Sequence, residues 1–245
     1  MTDLKSILQD IVTHTHSLGI LPLVKVSTAT ETIIESLADD RTVVLTAKMH
    51  DIVSEFNGIF GMGNLEKLAH HLKNPEYKEN ATIKVKTATR NEEVFPDHIS
   101  FVNEAGDFRN EYRFMNSVII NEKLKSVKFR GAKWEIEFNP SPESIKRLKL
   151  QSLSNSDEDD FQVTTNNADL VVSFGNAASH TGSFIFQTGI TGTLKHTWSW
   201  PVEQVMKILN LDGEKTIYIS DGGAMRIDVD SGLAKYEYIL PATSK

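Results

Sequence analysis

Residues 141–153, SPESIKRLKLQSL, decide the fold because they restart a pattern already laid down at the other end of the chain. Ser141-Pro142-Glu143 opens a helix with proline in its first turn, where the missing N–H costs nothing. Ile145, Leu148 and Leu153 are its expected core positions. Residues 2–12, TDLKSILQDIV, read the same way. Thr2 or Asp3 caps the start, and Leu4, Ile7, Leu8, Ile11 and Val12 fall on one stripe of a 3.6-residue period before Gly19 ends the helix.

Outward from the first helix, short β-like runs lie at Leu21–Val26, Glu31–Leu37 and Thr42–Thr46, with Asp39-Asp40-Arg41 in the last turn. Asp51–Phe60 is mixed and broken by glycines. Leu65, Leu68, Ala69 and Leu72 mark a second helix, closed by Asn74-Pro75. Strands are expected at Ala81–Thr87, Ile99–Val102 and Glu111–Met115. Asn116–Lys128 carries no turn signal and reads as a partly extended connector.

Outward from Ser141, a strand is expected before it at Lys133–Phe138. After it come Phe161–Thr165, Leu170–Phe174, Ser183–Gln187 and Thr193–Trp198. Pro201 starts a fourth helix with Val202, Val205, Met206 and Leu209 on its stripe. Three strands, Thr216–Ile219, Met225–Val229 and Lys235–Leu240, finish the chain. Each half is therefore a helix, several strands, a second helix and three strands. The first helices are offset by about 139 residues and the final strands by about 124. The repeat is one of pattern, not of residue identity. The domains implied are 1–117 and 130–245, joined by a connector at 118–129.

The length of 245 residues suits two domains of about 120. No apolar stretch is long enough for a membrane helix, and the first residues do not read as a secretory signal. The absence of cysteine removes thiolate nucleophiles, disulfides and cysteine metal sites; it fits a reducing, cytoplasmic setting. Net charge is −7, so counterion release would not draw the whole surface onto nucleic acid. The four helical segments nevertheless sum to +2, leaving −9 on the rest.

Enzyme motifs are missing: no P-loop, no G-x-S-x-G and no G-x-G-x-x-G. His14 and His16 diverge on a helix, as do His70 and His71, and Asp157–Asp160 lacks the glycine and final glutamate of a calcium loop. The sequence gives no positive case for catalysis, a metal or a cofactor.

Three stretches carry a family resemblance. TVVLTAKMHDIVSEFNGIF (42–60) resembles the strand and helix-like segment of phage sliding clamps, Ala132–Leu150 resembles the strand-to-helix start of a second clamp domain, and MRIDVDSGLAKYEYILPA (225–242) resembles the closing clamp hairpin and tail. The chain thus resembles the DNA sliding clamp family, which includes proliferating cell nuclear antigen, and most of all the processivity clamps of T-even-like bacteriophages. A start almost directly on a helix is a further likeness to the phage form. The length excludes a three-domain bacterial-type subunit.

The resemblance implies an α+β clamp fold: two similar domains, each with two helices packed on antiparallel sheets, six domains closing a homotrimeric ring. It also implies sequence-independent encirclement of duplex DNA, tethering of DNA polymerase, and opening by an ATP-dependent clamp loader. For a viral protein the setting would be the host cytoplasm. On this reading Lys5, Lys67, His70, His71, Lys73, Lys146, Arg147, Lys149 and Lys207 face DNA; the same residues also read as a solvated helix surface. Val118, Ile119, Ile120, Tyr238, Leu240 and Pro241 would border a partner-peptide pocket, or the triplet lies in a buried strand. Arg113, Phe114, Met115, Phe184 and Phe186 are expected at the subunit interface. A monomeric clamp-like factor and a β-rich virion protein are the other readings.

Overall fold

The computed structural model describes residues 3–90, 92–124, 129, 131–176, 178 and 180–243. Residues 125–128 of the expected connector, and the candidate cap Thr2, lie outside them. The chain forms two compact units, residues 1–128 with 231–236 and residues 129–230 with 237–245.

In the first unit α1 (Leu4–His14) is followed by β1 (Val24–Thr28), β2 (Thr32–Leu37), β3 (Val44–Met49) and β4 (Gly58–Met62). Then come α2 (Leu65–Lys73), β5 (Thr82–Arg90), β6 (Glu93–Val102), β7 (Arg109–Arg113) and α3 (Ser117–Lys123). The first four strands run β4-β1-β2-β3 and the next three β5-β6-β7. In the second unit β8 (Ile136–Phe138) precedes α4 (Pro142–Ser154), then β9 (Asp160–Asn166), β10 (Asp169–Phe174), β11 (Gly182–Thr188) and β12 (Trp198–Pro201). After α5 (Val202–Leu209) come β13 (Glu214–Ser220), β14 (Ala224–Asp230) and β15 (Ala234–Pro241).

The units repeat in order as well as in element type. The second unit's four strands run β12-β9-β10-β11, matching β4-β1-β2-β3. Its last three follow β13-β14-β15, as β5-β6-β7 do, with β8 added outside β13. Each unit also closes on the residues after its last strand. Met115 exchanges backbone hydrogen bonds with Gly61 of β4 at 2.8 and 2.9 Å, and the Thr243 amide bonds the Ser199 carbonyl of β12 at 2.9 Å.

Helix formation follows the chemistry of the starts. Asp3 Oδ1 accepts from the Ser6 amide at 2.9 Å, and Ser141 Oγ accepts from the Ser144 amide at 3.0 Å. The Ser6 amide and hydroxyl, bonded to the Asp3 carboxylate, hold its pKa below the ordinary value. Ile7, Leu8, Ile11 and Val12 are buried, as the stripe requires.

Several expectations are corrected. The connector is not extended at its start: Asn116 accepts from the Ile119 amide at 2.9 Å and opens α3. The segment after β3 is a single 3-10 turn, Ser54–Phe56, and Phe60 belongs to strand β4. The strand placed at Thr193–Trp198 begins only at Trp198, because the Lys195 and His196 amides are both held by Asp221 Oδ1. Pro201 ends that strand and precedes α5 as its cap. The last strand of the first unit spans Arg109–Arg113, so Phe114 and Met115 lie beyond it. Leu153 is no core residue: it is 65% exposed, since it lies near the outer side of α4 while Leu148 alone is fully buried.

Candidate nucleic-acid and partner interfaces

Each unit packs its two long helices together, α1 on α2 and α4 on α5. On α2, Lys67, His70 and Lys73 share an exposed face with Glu66, whose carboxylate is 3.7 Å from His70. His71 does not join them. It is three residues beyond Leu68, on the same helix face, and is buried with its ring 5.2 Å from Phe101. Burial lowers its pKa, helped by the nearby Lys67 and His70 charges. Lys5 is half-buried, its Nζ donating to the Tyr77 carbonyl at 2.6 Å.

The basic trio of α4 divides. Lys146 and Lys149 are exposed, on the side that also carries Leu150 and Leu153. Arg147 instead turns along β11: its guanidinium lies 5.2 Å from the centre of the Phe184 ring and donates to the Ile185 carbonyl at 3.4 Å. On α5, Lys207 pairs with Glu203 at 2.7 Å, one turn away.

β7 and β11 are both terminal strands of their sheets. Beside β7, Arg113 bonds Asp97 and Glu111 at 3.1 Å each. Phe114 packs on Phe60, ring centres 4.2 Å apart, and Met115 lies against Gly63. On β11, Phe186 is turned into the core against Phe138, so Ile185, 41% exposed, is the outward apolar residue. The sequence expectation named Phe184 and Phe186 on this edge strand; strand alternation, which puts Ile185 on the opposite face, was the usable signal for the outward residue.

The expected peptide pocket is divided by burial. Val118 and Ile119 of α3 are exposed, while Ile120 is fully buried against Gly61, where an added Cβ would approach its Cδ1 to 2.7 Å. Tyr238 and Leu240 are buried in the second unit, where the Leu240 carbonyl accepts from Trp200 Nε1 at 3.2 Å; Pro241 is exposed. A groove of about 290 Å³, which sequence reading missed, opens at the C-terminal end of α3. Leu23, Leu37, Ala38, Asp39, Arg41, Lys123 and Leu124 line it. Its only sequence signal was the Asp39-Asp40-Arg41 turn.

Solved structures supply the comparison. Proliferating cell nuclear antigen (PCNA) from Thermococcus kodakaraensis superposes with a TM-score of 0.69 at 11% identity, covering 98% of this chain and 98% of that one. The fold is that of a sliding clamp. PCNA from A. fulgidus, bound to the C-terminal region of FEN-1, gives 0.68 at 10% identity over 99% and 95% of the two chains. Proliferating cellular nuclear antigen from Entamoeba histolytica gives 0.65 at 11% over 98% and 94%. No protein-family model and no curated protein matches the sequence. The clamp fold thus spans both units, and at this identity the likeness is one of backbone.

Proposed function

We propose that this protein is a ring-forming sliding clamp. Three copies close six similar units around duplex DNA and tether a DNA polymerase, and the chain itself catalyses nothing. The clamp fold over both units carries the reading. Two unpaired edges support it: among the described residues β7 and β11 each have one partner strand. Pairing β7 of one copy with β11 of the next is a heterologous contact, which closes into a ring when its rotation returns on itself and removes both edges. Arg113, Phe114 and Met115 flank one side of that contact; Phe184, Ile185 and Arg147 flank the other.

Lys146 and Lys149, with Lys67, His70 and Lys73, form the DNA-facing charge, with Lys5 and Lys207 contributing less because each already has a partner in its own unit. Contacts of this kind neutralise phosphate without reading sequence. Partner segments, of the class the A. fulgidus structure holds, dock at the groove below α3 and the exposed Val118 and Ile119. An ATP-dependent loader opens the ring. The stretch 42–60 favours a bacteriophage replication system.

The test is mass in solution followed by loading. The trimer weighs about 82 kDa, three times 27.4 kDa. A particle of that mass, retained on nicked circular DNA and lost when the DNA is cut, supports the ring. A 27.4 kDa particle at micromolar concentration and moderate salt would replace it with a monomeric DNA-holding factor.

A further inference from the structure

One difference between the two units lies at the outer edge of the last three strands. In the second, β8 adds to the outer edge of β13, antiparallel, with Ile217 opposite Phe138, Tyr218 opposite Glu137 and Ile219 opposite Ile136. Among the described residues the first unit has no counterpart, and β5 pairs on one side only, with β6. Ile83-Lys84-Val85 of β5 stands where Ile217-Tyr218-Ile219 stands in β13. Ile83 and Val85 lie opposite Phe101 and Ile99, as Ile217 and Ile219 lie opposite Ile227 and Met225. Burial shows what is missing: Ile217 and Ile219 are 3% and 1% exposed, whereas Ile83 and Val85 remain half-exposed over a fully buried Ile99 and Phe101. β8 gives the second unit that cover through Ile136 and Phe138, both buried.

We propose that the outer edge of β5 is a docking site for an extended, acidic peptide segment of a partner protein, added as an antiparallel strand. Such a strand supplies the missing main-chain hydrogen bonds, and its alternate side chains choose the partner. Apolar residues would cover Ile83 and Val85. Acidic residues between them would stand beside Lys84 and Lys86, which are exposed and have no ion pair among the described residues. β5 carries Lys84, Lys86 and Arg90 and no acidic residue. A register shift after Lys86 limits the regular edge to Thr82–Lys86, which suits a short strand like β8. A second copy is the wrong occupant, because two β5 edges would set these cations against one another. The proposal does not depend on ring formation.

The chain's own solution to the equivalent slot provides the probe: a fluorescein-labelled peptide of residues 132–139, AKWEIEFN. It should bind the full chain saturably by fluorescence anisotropy and protect the amides of residues 82–86 from hydrogen exchange. K84E/K86E, at two exposed positions, should keep the circular dichroism spectrum and weaken binding at least about tenfold. A peptide carrying E135K and E137K should restore binding to that variant. No saturable binding, or protection of β13 instead of β5, overturns the proposal. Protection of β5 that grows with protein concentration in the absence of peptide also overturns it, in favour of a second copy.

Discussion

Tyr236 donates its phenolic hydroxyl to Asp10 Oδ2 at 2.8 Å while its ring stacks on His14, centroids 4.1 Å apart and planes within 10°. Ser231 donates to the same carboxylate oxygen at 3.0 Å. Tyr236 is fully buried, and this contact ties the 231–236 hairpin to α1. Tyr236→Phe keeps the stacking and removes one hydrogen bond to a charged group. It should lower unfolding free energy by about 1.5–3 kcal/mol, read as a shift in urea midpoint at constant slope.

The buried His71 makes stability depend on pH. Its folded pKa lies below the ordinary 6.5, so the unfolded chain binds the proton more tightly. The neutral ring's contribution is therefore present above about pH 6.5 and is lost as pH falls through the lower folded value. His71→Leu should unfold at a midpoint close to the parent at pH 7.5 and show a shallower loss between pH 6.5 and 5. A parallel loss in both proteins would assign the acid sensitivity elsewhere.

The split of the α4 cations separates two phenotypes. Lys146→Ala with Lys149→Ala should reduce the salt slope of DNA association by about two units and leave assembly mass unchanged. Arg147→Ala removes the cover over Phe184 and the bond to the Ile185 carbonyl. It should weaken association between copies, seen as a mass that falls on dilution, with little change in salt slope. The opposite assignment of effects would return Arg147 to the DNA-facing set.

Gly61→Ala tests the seat of α3. The added methyl meets the Ile120 side chain at 2.7–2.9 Å, so helix or strand must shift. Overpacking of this kind should cost about 1–3 kcal/mol. If the groove below α3 takes partner peptides, their affinity should drop in the same variant, measured by calorimetry against a polymerase C-terminal peptide.

The sequence disclosed those elements whose pattern is local. The α1 stripe, the Ser141-Pro142 start and the alternation of β9 and β10 each follow from residues within one or two turns of each other. α3 escaped because Val118, Ile119 and Ile120 are β-branched and read as extended, whereas the deciding group is the Asn116 side chain. The late start of β12 was hidden for a different reason. Its displacement depends on Asp221, 25 and 26 residues away from the amides it holds. Candidate sites fared by the same rule: Lys146 and Lys149 were visible as off-stripe cations, but Arg147 on Phe184 and the groove below α3 needed contacts between distant segments.

The grouping of residues 231–236 with the first unit has a consequence for the order of synthesis. Asp10 and Tyr236 lie 226 positions apart, so α1 has emerged from the ribosome long before its phenolic partner exists. Domains ordinarily fold as they emerge, N-terminal first. Here the first unit cannot complete its packing until the second has been almost wholly translated, and the second waits in turn for Thr243 to close on Ser199. A nascent chain therefore completes the packing of both units only after residues 231–243 have emerged.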